Sequence, residues 1–420
     1  MADWRKAHLA KIRPCVTARY LEHEKTCREK LARGERLKVA FLVCDASMFS
    51  GESVYLRMKD DPRFACHIAV VPRVTRGEAF LRETLRKTVD GLKAKYGDVR
   101  SLYDPDVKRA EALDADLVFS TVIYEDQTLP IYTTEHLARH SLVALLYYGY
   151  GGLFRTNESK TPFLPNIALS WRYFVSNEQT REMSIRKNPM LEDSVVAVGY
   201  AKMDRYEEER LKALKMQGKR PKTVVICPHH SIERGTDGLV LSTFLVNADL
   251  FLELPKMFPD VRFVFRPHPL LFPRLRTEKW WGERRTADYE RAMEAFPNVE
   301  FQRGGDYFAT FAASDALIHD CGSFLAEYFY TGKPQCYLLE SEQLVAEQFL
   351  SFGQSMLRHV YRAFVADEVI SFIRQVVLAG EDPMWHERYD FAAREVCINH
   401  PHVTDVVVDE VMSVLSKGRQ

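Results

Sequence analysis

In Ala316-Leu317-Ile318-His319-Asp320-Cys321-Gly322-Ser323-Phe324-Leu325-Ala326-Glu327-Tyr328, an apolar strand stops at a histidine, small residues make a turn, and an apolar helix begins. Gly332 and Pro334 then end that helix in the order expected of a C-terminus. A strand handing over to a helix through a tight turn is the unit from which parallel α/β sheets are built. Free N–H groups at such a helix start, with the Ser323 hydroxyl, suit an anion. Plain N-capping by Ser323 would read the same way. Gly322 favours close approach to the backbone. Glu327, one turn further on, either accepts from ribose-type hydroxyls or sits at the favourable end of the helix dipole.

The same alternation runs outward in both directions. Leu37–Cys44, Cys66–Val71, Leu117–Ser120, Ser141–Tyr147 and Val195–Val198 read as strands of a first half, with helices at Glu52–Lys59 and near Gly77–Tyr96. Asp204–Lys222 reads as a charged helix leading into a linker. Thr223–Cys227, Arg262–Arg266, Ala316–His319 and Gln335–Leu339 form a second strand series, with helices at about Leu241–Met257, Asp288–Phe296 and Ser323–Tyr330. Val365–Lys417 reads as helical except for a break at Asn399-His400-Pro401. The expected division is a basic helical segment at 1–36, a first Rossmann-like domain at 37–200, a linker at 201–222, a second Rossmann-like domain at 223–362, and C-terminal helices at 363–420. Two doubly wound α/β domains facing a central cleft are the economical architecture, with ligands outside the carboxyl ends of the strands.

Composition agrees with a globular chain. Of 420 residues, 46% are apolar and 28% charged, which excludes disordered, collagen-like and small disulfide-scaffold classes. Lys plus Arg and Asp plus Glu are both 58, so no net charge recruits nucleic acid. Residues 1–38 carry 11 basic and 5 acidic side chains, a local +6. Such a start either rests on an anionic membrane surface or is a solvated helix. No run approaches the ~18 apolar residues of a membrane span, and the N-terminus has no apolar signal region. Eight cysteines are scattered without a CxxC pair. The expectation is a cytoplasmic protein, peripheral on the inner membrane face if the basic helix docks there.

Three strands of the second series end in histidine-bearing turns: Pro228-His229-His230-Ser231, Arg266-Pro267-His268-Pro269 and His319-Asp320. In one sheet they would converge on one crevice. Arg266 is a fixed charge beside a Pro-locked turn, suited to pyrophosphate or to a surface ion pair. Lys202, in Gly199-Tyr200-Ala201-Lys202, is either a phosphate partner or a solvated lysine. Gly149-Tyr150-Gly151 follows an apolar run, but Phe154 stands where a dinucleotide fingerprint needs its third glycine, which argues against NAD or FAD. Asp104-Pro105-Asp106 and Asp114-Ala115-Asp116 read as caps or turns. His229-His230 has no carboxylate or thiolate at ligand spacing, so no metal is expected, and no cofactor is required. HExxH, P-loop and Gly-x-Ser-x-Gly motifs are absent. Trp280-Trp281 reads as a partly buried anchor.

Over roughly residues 195–340 the chain resembles the CDP-glycerol glycerophosphotransferases, the teichoic-acid primase and polymerase family, which has the GT-B glycosyltransferase fold. Ser314 to Tyr328 with Gly332-Lys333-Pro334 looks like that family's strand ending in Thr-Asp-Tyr-Ser-Ser, its following helix and its Lys-Pro. Phe265-Arg266-Pro267-His268-Pro269 is similar to its Leu-His-Pro element. Gly199 to Asp204 is similar to its Gly-x-Pro-Arg-x-Asp, with Lys202 at the arginine position. The family's Trp-His-Gly, whose histidine is a proposed base, corresponds to Tyr147-Tyr148-Gly149, and a tyrosine of pKa ~10 is a poor base.

The resemblance implies transfer of glycerol or ribitol phosphate from a CDP-activated donor to a hydroxyl of a surface glycan or polymer, such as capsule or teichoic acid. It assigns His268, Arg266, Gly322 and Ser323 to the pyrophosphate, with Lys202, His229, Ser231 and Glu327 also on the donor. Asp320 would hold the histidines or the acceptor, and His230 or His229 would be the base. The acceptor would enter near Tyr148, Gly149 and Gly151, and domain closure would belong to the cycle. A GT-B sugar transferase using a nucleotide sugar, a nucleotide-sugar 2-epimerase and a non-catalytic glycan-binding protein are the alternatives.

Overall fold

The structure is a computed structural model that describes residues 2–158, 160–215, 220–235 and 238–417. It divides into two compact units. The first comprises Met1–Gly151, Asn157–Asp204 and Ile398–Gln420; the second comprises Gly152–Thr156 and Arg205–Cys397. The chain therefore does not divide at 362/363. The C-terminal helical segment is shared between the units, and five residues of the Tyr148–Thr156 loop belong to the second. Residues 216–219 of the expected linker lie outside the described residues.

The first unit is built on a seven-stranded parallel sheet: β1 (Leu37–Val43), β2 (Phe64–Val70), β3 (Val99–Ser101), β4 (Leu117–Ser120), β5 (Leu142–Leu146), β6 (Arg172–Val175) and β7 (Val195–Ala197). Their order in the sheet is β3-β2-β1-β4-β5-β6-β7. Strands covered on both faces read as unbroken apolar runs, and β4 and β5 are buried at every position. The hairpin Tyr103–Asp104 with Arg109–Ala110 lies outside this sheet.

The basic start is helix α1 (Ala2–Ala32), which buries Leu9, Val16, Tyr20 and Cys27 along one face. Several of its polar groups also tie it down. Arg13 donates to the carbonyls of Ala168 and Ser170, Tyr20 Oη donates to Leu169 O, and buried Glu24 accepts from Trp171 Nε1 at 2.7 Å. Helix α2 (Glu52–Lys59) and the C-terminal helix Val403–Lys417 complete this layer, the latter packing on both α1 and α2. The expected break at Asn399-His400-Pro401 is present as a left-handed Asn399 followed by a cis His400–Pro401 bond. No helix among the described residues is long and apolar enough to cross a membrane.

The second unit repeats the plan with β8 (Thr223–Cys227), β9 (Arg262–Phe265), β10 (Val299–Phe301), β11 (Ala316–His319), β12 (Gln335–Leu338) and β13 (Tyr361–Ala363). All pairs are parallel, in the order β10-β9-β8-β11-β12-β13. Both sheets reverse direction next to their first strand, the topology of a doubly wound Rossmann-like unit. In the second unit that switch point lies between β8 and β11, where Cys227 pairs with His319. Around it pack helices α3 (Phe244–Met257), α4 (Leu271–Leu275), α5 (Phe308–Ala313) and α6 (Gly322–Glu327). An aromatic core of Phe244, Phe251, Phe265, Phe272 and Tyr289 fills one side.

Candidate functional site

The turns after β8 and β9 bring three imidazoles together at the switch point of the second unit. Ring centroids are 4.3 Å apart for His229 and His230, 4.1 Å for His230 and His268, and 5.3 Å for His229 and His268. The turns are held from below. His268 N–H donates to Pro228 O at 2.9 Å, and Asp320, at the end of β11, accepts from His229 N–H at 2.5 Å. The other Asp320 oxygen accepts from Thr243 N–H at 2.6 Å and its hydroxyl at 3.0 Å, fixing the approach to α3. Ser231 Oγ lies 2.8 Å from His229 Nδ1 and accepts from Leu241 N–H at 2.9 Å.

Arg274, on α4, is the cation of this cluster. Its guanidinium donates to His230 O at 3.2 Å and, among the described residues, has no carboxylate within ion-pair distance. Burial, reinforced by the neighbouring imidazoles and by Arg274, holds His229 well below its ordinary pKa. The same causes push His268 down to about 3. Both rings are therefore neutral at pH 7, and His229 is too weak a base for the role that an unshifted imidazole would fill.

The remaining candidates divide between support and site. Arg266 is buried, and its guanidinium is spent on Gln302 Oε1 at 2.9 Å, Gly304 O at 3.1 Å and Gly305 O. It holds the loop after β10, where Gly304 and Gly305 have φ of +129° and +86°, and is not the pyrophosphate cation expected of it. Asp320 is wholly buried and cannot meet an acceptor. Burial raises its carboxyl to about 6 despite three hydrogen bonds. His319 is also wholly buried: its Nδ1 accepts from Cys321 N–H, and Nε2 pairs with Gln335. It braces β11 against β12 and does not join the cluster.

The start of α6 departs from the expectation as well. Cys321 occupies the cap position, and Ser323 is exposed without capping. A Cβ on Gly322 would lie 2.6 Å from the Phe154 ring, so the close approach this glycine permits is made by an aromatic side chain. Glu327 closes α6 instead of standing near its start, is 1% exposed, and accepts from the Tyr307 hydroxyl. That removes the dipole reading for it.

The acceptor-side candidates lie in the first unit. Tyr148 stacks on Tyr147, and burial pushes its phenol further above the ordinary value, away from basic behaviour. Gly151 packs against Thr180 and donates to Ser176 Oγ at 3.3 Å. Gly149 follows in the same half-buried loop. Lys202 lines a cavity of about 20 Å³ at the carboxyl ends of β5–β7 with Ser50, Tyr147 and Ser176, room for about one water. A wider cavity of about 750 Å³ opens at the amino ends of β8–β10, lined by Arg220, Asp260, Arg262 and Glu300, and holds none of the candidates.

Arg274, Thr243 and Tyr307 were not singled out from the sequence. Arg274 had a local signal, a cation five residues beyond the Pro-locked turn, but Arg276 shares it and is paired with Glu283 and Glu290.

The fold and the switch-point site define a class, the GT-B type with two Rossmann-like units. Solved structures of that type match along nearly the whole chain. A variant of the wall teichoic acid polymerase TagF is 12% identical, with 96% of this chain and 98% of that one covered and a TM-score of 0.58. A UDP-N-acetylglucosamine 2-epimerase is 13% identical over 90% and 96%, with a TM-score of 0.56. The Methanocaldococcus jannaschii UDP-GlcNAc 2-epimerase, in complex with UDP-GlcNAc and UDP, is 10% identical over 90% and 99%, with a TM-score of 0.55. At such identities the likeness is one of fold. No protein-family model and no curated protein matches the sequence.

Proposed function

We propose that the second unit binds the diphosphate of a nucleotide-activated donor and that the protein is a transferase of the GT-B type. The observation that carries this reading is Arg274, a half-buried guanidinium without a carboxylate partner among the described residues, facing neutral imidazoles at the switch point. A half-buried guanidinium without a carboxylate partner is open to an anion, and doubly wound sheets bind nucleotides at this place. Glu327, 1% exposed and holding the Tyr307 hydroxyl, is too buried to partner a ribose, as Asp320 is to meet an acceptor.

The finer reading is a CDP-linked polyol-phosphate donor, glycerol or ribitol phosphate, and an acceptor hydroxyl on a surface glycan or polymer such as teichoic acid or capsule. It rests on the motif resemblance and on the TagF likeness, a protein also solved after a soak with CDPG. In that reaction the acceptor oxygen forms a bond to the donor's distal phosphorus as the bond from that phosphorus to the bridging oxygen breaks. CMP leaves with the electron pair, and the acceptor proton passes to solvent. Phosphoryl transfer through a loose transition state depends on positioning and charge neutralisation more than on a strong base, which suits a site whose His229 and His268 are held neutral. Arg274 takes the charge that builds on the leaving diphosphate oxygen. The acceptor is assigned to the strand ends of the first unit around Tyr148, Gly149 and Gly151. The basic helix α1 is read as a resting face on the inner surface of an anionic membrane, with the protein otherwise cytoplasmic.

A nucleotide-sugar donor is the second reading, favoured by the neighbours whose structures hold UDP-GlcNAc or UDP. Release of CMP from CDP-glycerol or CDP-ribitol in the presence of a polyol-phosphate-primed acceptor decides between them. CMP release that vanishes in Arg274→Ala supports the polyol-phosphate reading. Turnover of UDP- or GDP-sugars alone replaces it with the second.

A further inference from the structure

The pairing of His229 with His230 carries no third ligand nearby in sequence, but the fold supplies one from another strand. The ring nitrogens offered by His229, His230 and His268 all lie within 4.8 Å of one another, and the three rings are only half-buried. From this geometry we propose that His229, His230 and His268 form a three-imidazole site for a divalent cation of the zinc class. A tetrahedral ion with Zn–N bonds of about 2.1 Å sets its nitrogens about 3.4 Å apart, so the rings need to close by at most about 1.4 Å from their 4.8 Å bound.

The backbone carrying these rings is fixed. Pro228, Pro267 and Pro269 lock the turns, His268 N–H is bonded to Pro228 O, and His229 N–H is bonded to the buried Asp320 carboxylate. Metal-bound imidazoles need the second ring nitrogen oriented by a partner. At His229, Nδ1 lies 2.8 Å from Ser231 Oγ and also accepts from Ser231 N–H at 3.2 Å, so Nε2 ligates once Nδ1 gives up that N–H contact and donates to Oγ instead. His268 is in the same state. Its Nδ1 accepts from Leu270 N–H at 3.1 Å, a contact surrendered on ligation. Loss of one such orienting partner lowers affinity by about 10- to 100-fold relative to a fully prepared site. Imidazoles select zinc, cobalt, nickel or copper over magnesium, which prefers oxygen.

Three protein ligands leave one position open. Resting on the donor reading above, that position is filled by a donor phosphate oxygen, with Arg274 offsetting the remaining charge. Ion and nucleotide then strengthen each other's binding, by the 5- to 150-fold range typical of coupled sites.

The test uses the full chain stripped with a chelator, dialysed free of it, and titrated with Co²⁺ while the visible d–d absorption of imidazole-bound cobalt is followed. One equivalent per chain is expected, displaced by Zn²⁺. His230→Ala and His268→Ala should each weaken binding at least ten-fold, whereas His386→Ala, on the helix Trp385–Phe391 and outside the cluster, should leave it unchanged. If either alanine variant fails to fold, His230→Gln and His268→Gln, close in size and polarity, carry the same expectation. Absence of a band, or a band that survives loss of His230 and His268, overturns the site. Repeating the titration with CDP present should tighten cobalt binding, and an unchanged affinity overturns the shared position. CDP binding measured in chelator separates the two readings. Arg274-dependent CDP binding without any cobalt site overturns this inference and keeps the donor reading; a cobalt site in a protein that binds no nucleoside diphosphate does the reverse.

Discussion

Two arginines in the second unit do opposite things, and only their surroundings say so. Arg266 is buried and donates to three oxygens of the loop after β10, so Arg266→Ala removes that loop's tie to β9. A cost of about 1.5–3 kcal/mol in unfolding free energy follows, the worth of hydrogen bonds from a charged group, seen as a lower urea midpoint with any loss of nucleotide affinity secondary to it. Arg274→Ala removes a cation held by one backbone contact and should leave the midpoint within about 0.5 kcal/mol. The sequence singled out Arg266 alone, because adjacency to a Pro-locked turn is visible and the direction of a guanidinium is not. Gly322 offers a second residue-scale test. Gly322→Ala puts a methyl group 2.6 Å from the Phe154 ring and should destabilise by about 1–3 kcal/mol. Combining it with Phe154→Ala should recover part of that loss in a double-mutant cycle. Strict additivity would show that the two do not touch.

At the scale of elements, strands with unbroken apolar runs were legible to the residue. Leu117–Ser120, Thr223–Cys227 and Ala316–His319 were read at their observed bounds because burial on both faces leaves their interiors apolar and confines polar residues to the ends. The three-residue strands Val99–Ser101, Val299–Phe301 and Tyr361–Ala363 were not, being edges too short to carry a period. Arg172–Val175 escaped for another reason. A buried arginine opens it, satisfied by Glu410 at 2.8 Å and by the carbonyls of Trp171 and Asp193. Long-range partners of that kind have no local signature. The same holds for Asp320, which reads as a site carboxylate and proves to be the tie between β11, the histidine turn and α3. Asp320→Ala leaves the N–H groups of His229 and Thr243 without an acceptor, should cost about 2–5 kcal/mol, and should loosen amide-exchange protection at the two together. Loss of protection at only one of them would contradict a shared tie.

For the whole molecule, buried histidines set the response to acid. His319 is pushed down to about 4 and His268 to about 3 by burial, and His229 well below its ordinary value. Between those values and about 6.5 the unfolded chain binds protons that the folded chain refuses, so stability rises with pH across that window. Asp320, raised to about 6, works the other way between about 4 and 6, because there the folded state holds the extra proton. Glu125, raised to about 7 by burial, works in the same sense as Asp320, while His23, His67 and His136, lowered by burial, side with the other histidines. Six imidazoles against two carboxyls leave a net slope of at least about one proton, with stability falling as the metal-free protein is taken from about pH 6 to pH 4.5. Urea unfolding followed at several pH values reads it directly. A flat profile would mean that these rings are not neutral in the fold. The two-unit α/β plan and the convergence of two of the three histidine-bearing strand ends were thus visible in the sequence, while His319 turned out to brace the sheet. The sharing of the C-terminal segment between units, and the cation that gives the site its charge, depend on contacts distant in sequence.

The claim that most needs testing is that the switch point of the second unit is a diphosphate site built on Arg274. Calorimetric titration of CDP, UDP and GDP into the wild type, Arg274→Ala and Arg266→Ala tests it most directly. The account predicts saturable binding of a nucleoside diphosphate that Arg274→Ala weakens by about 10- to 100-fold, the worth of a charge-assisted contact, with unfolding unchanged. Binding that is indifferent to Arg274, or absent for all three nucleotides in a folded protein, would contradict it.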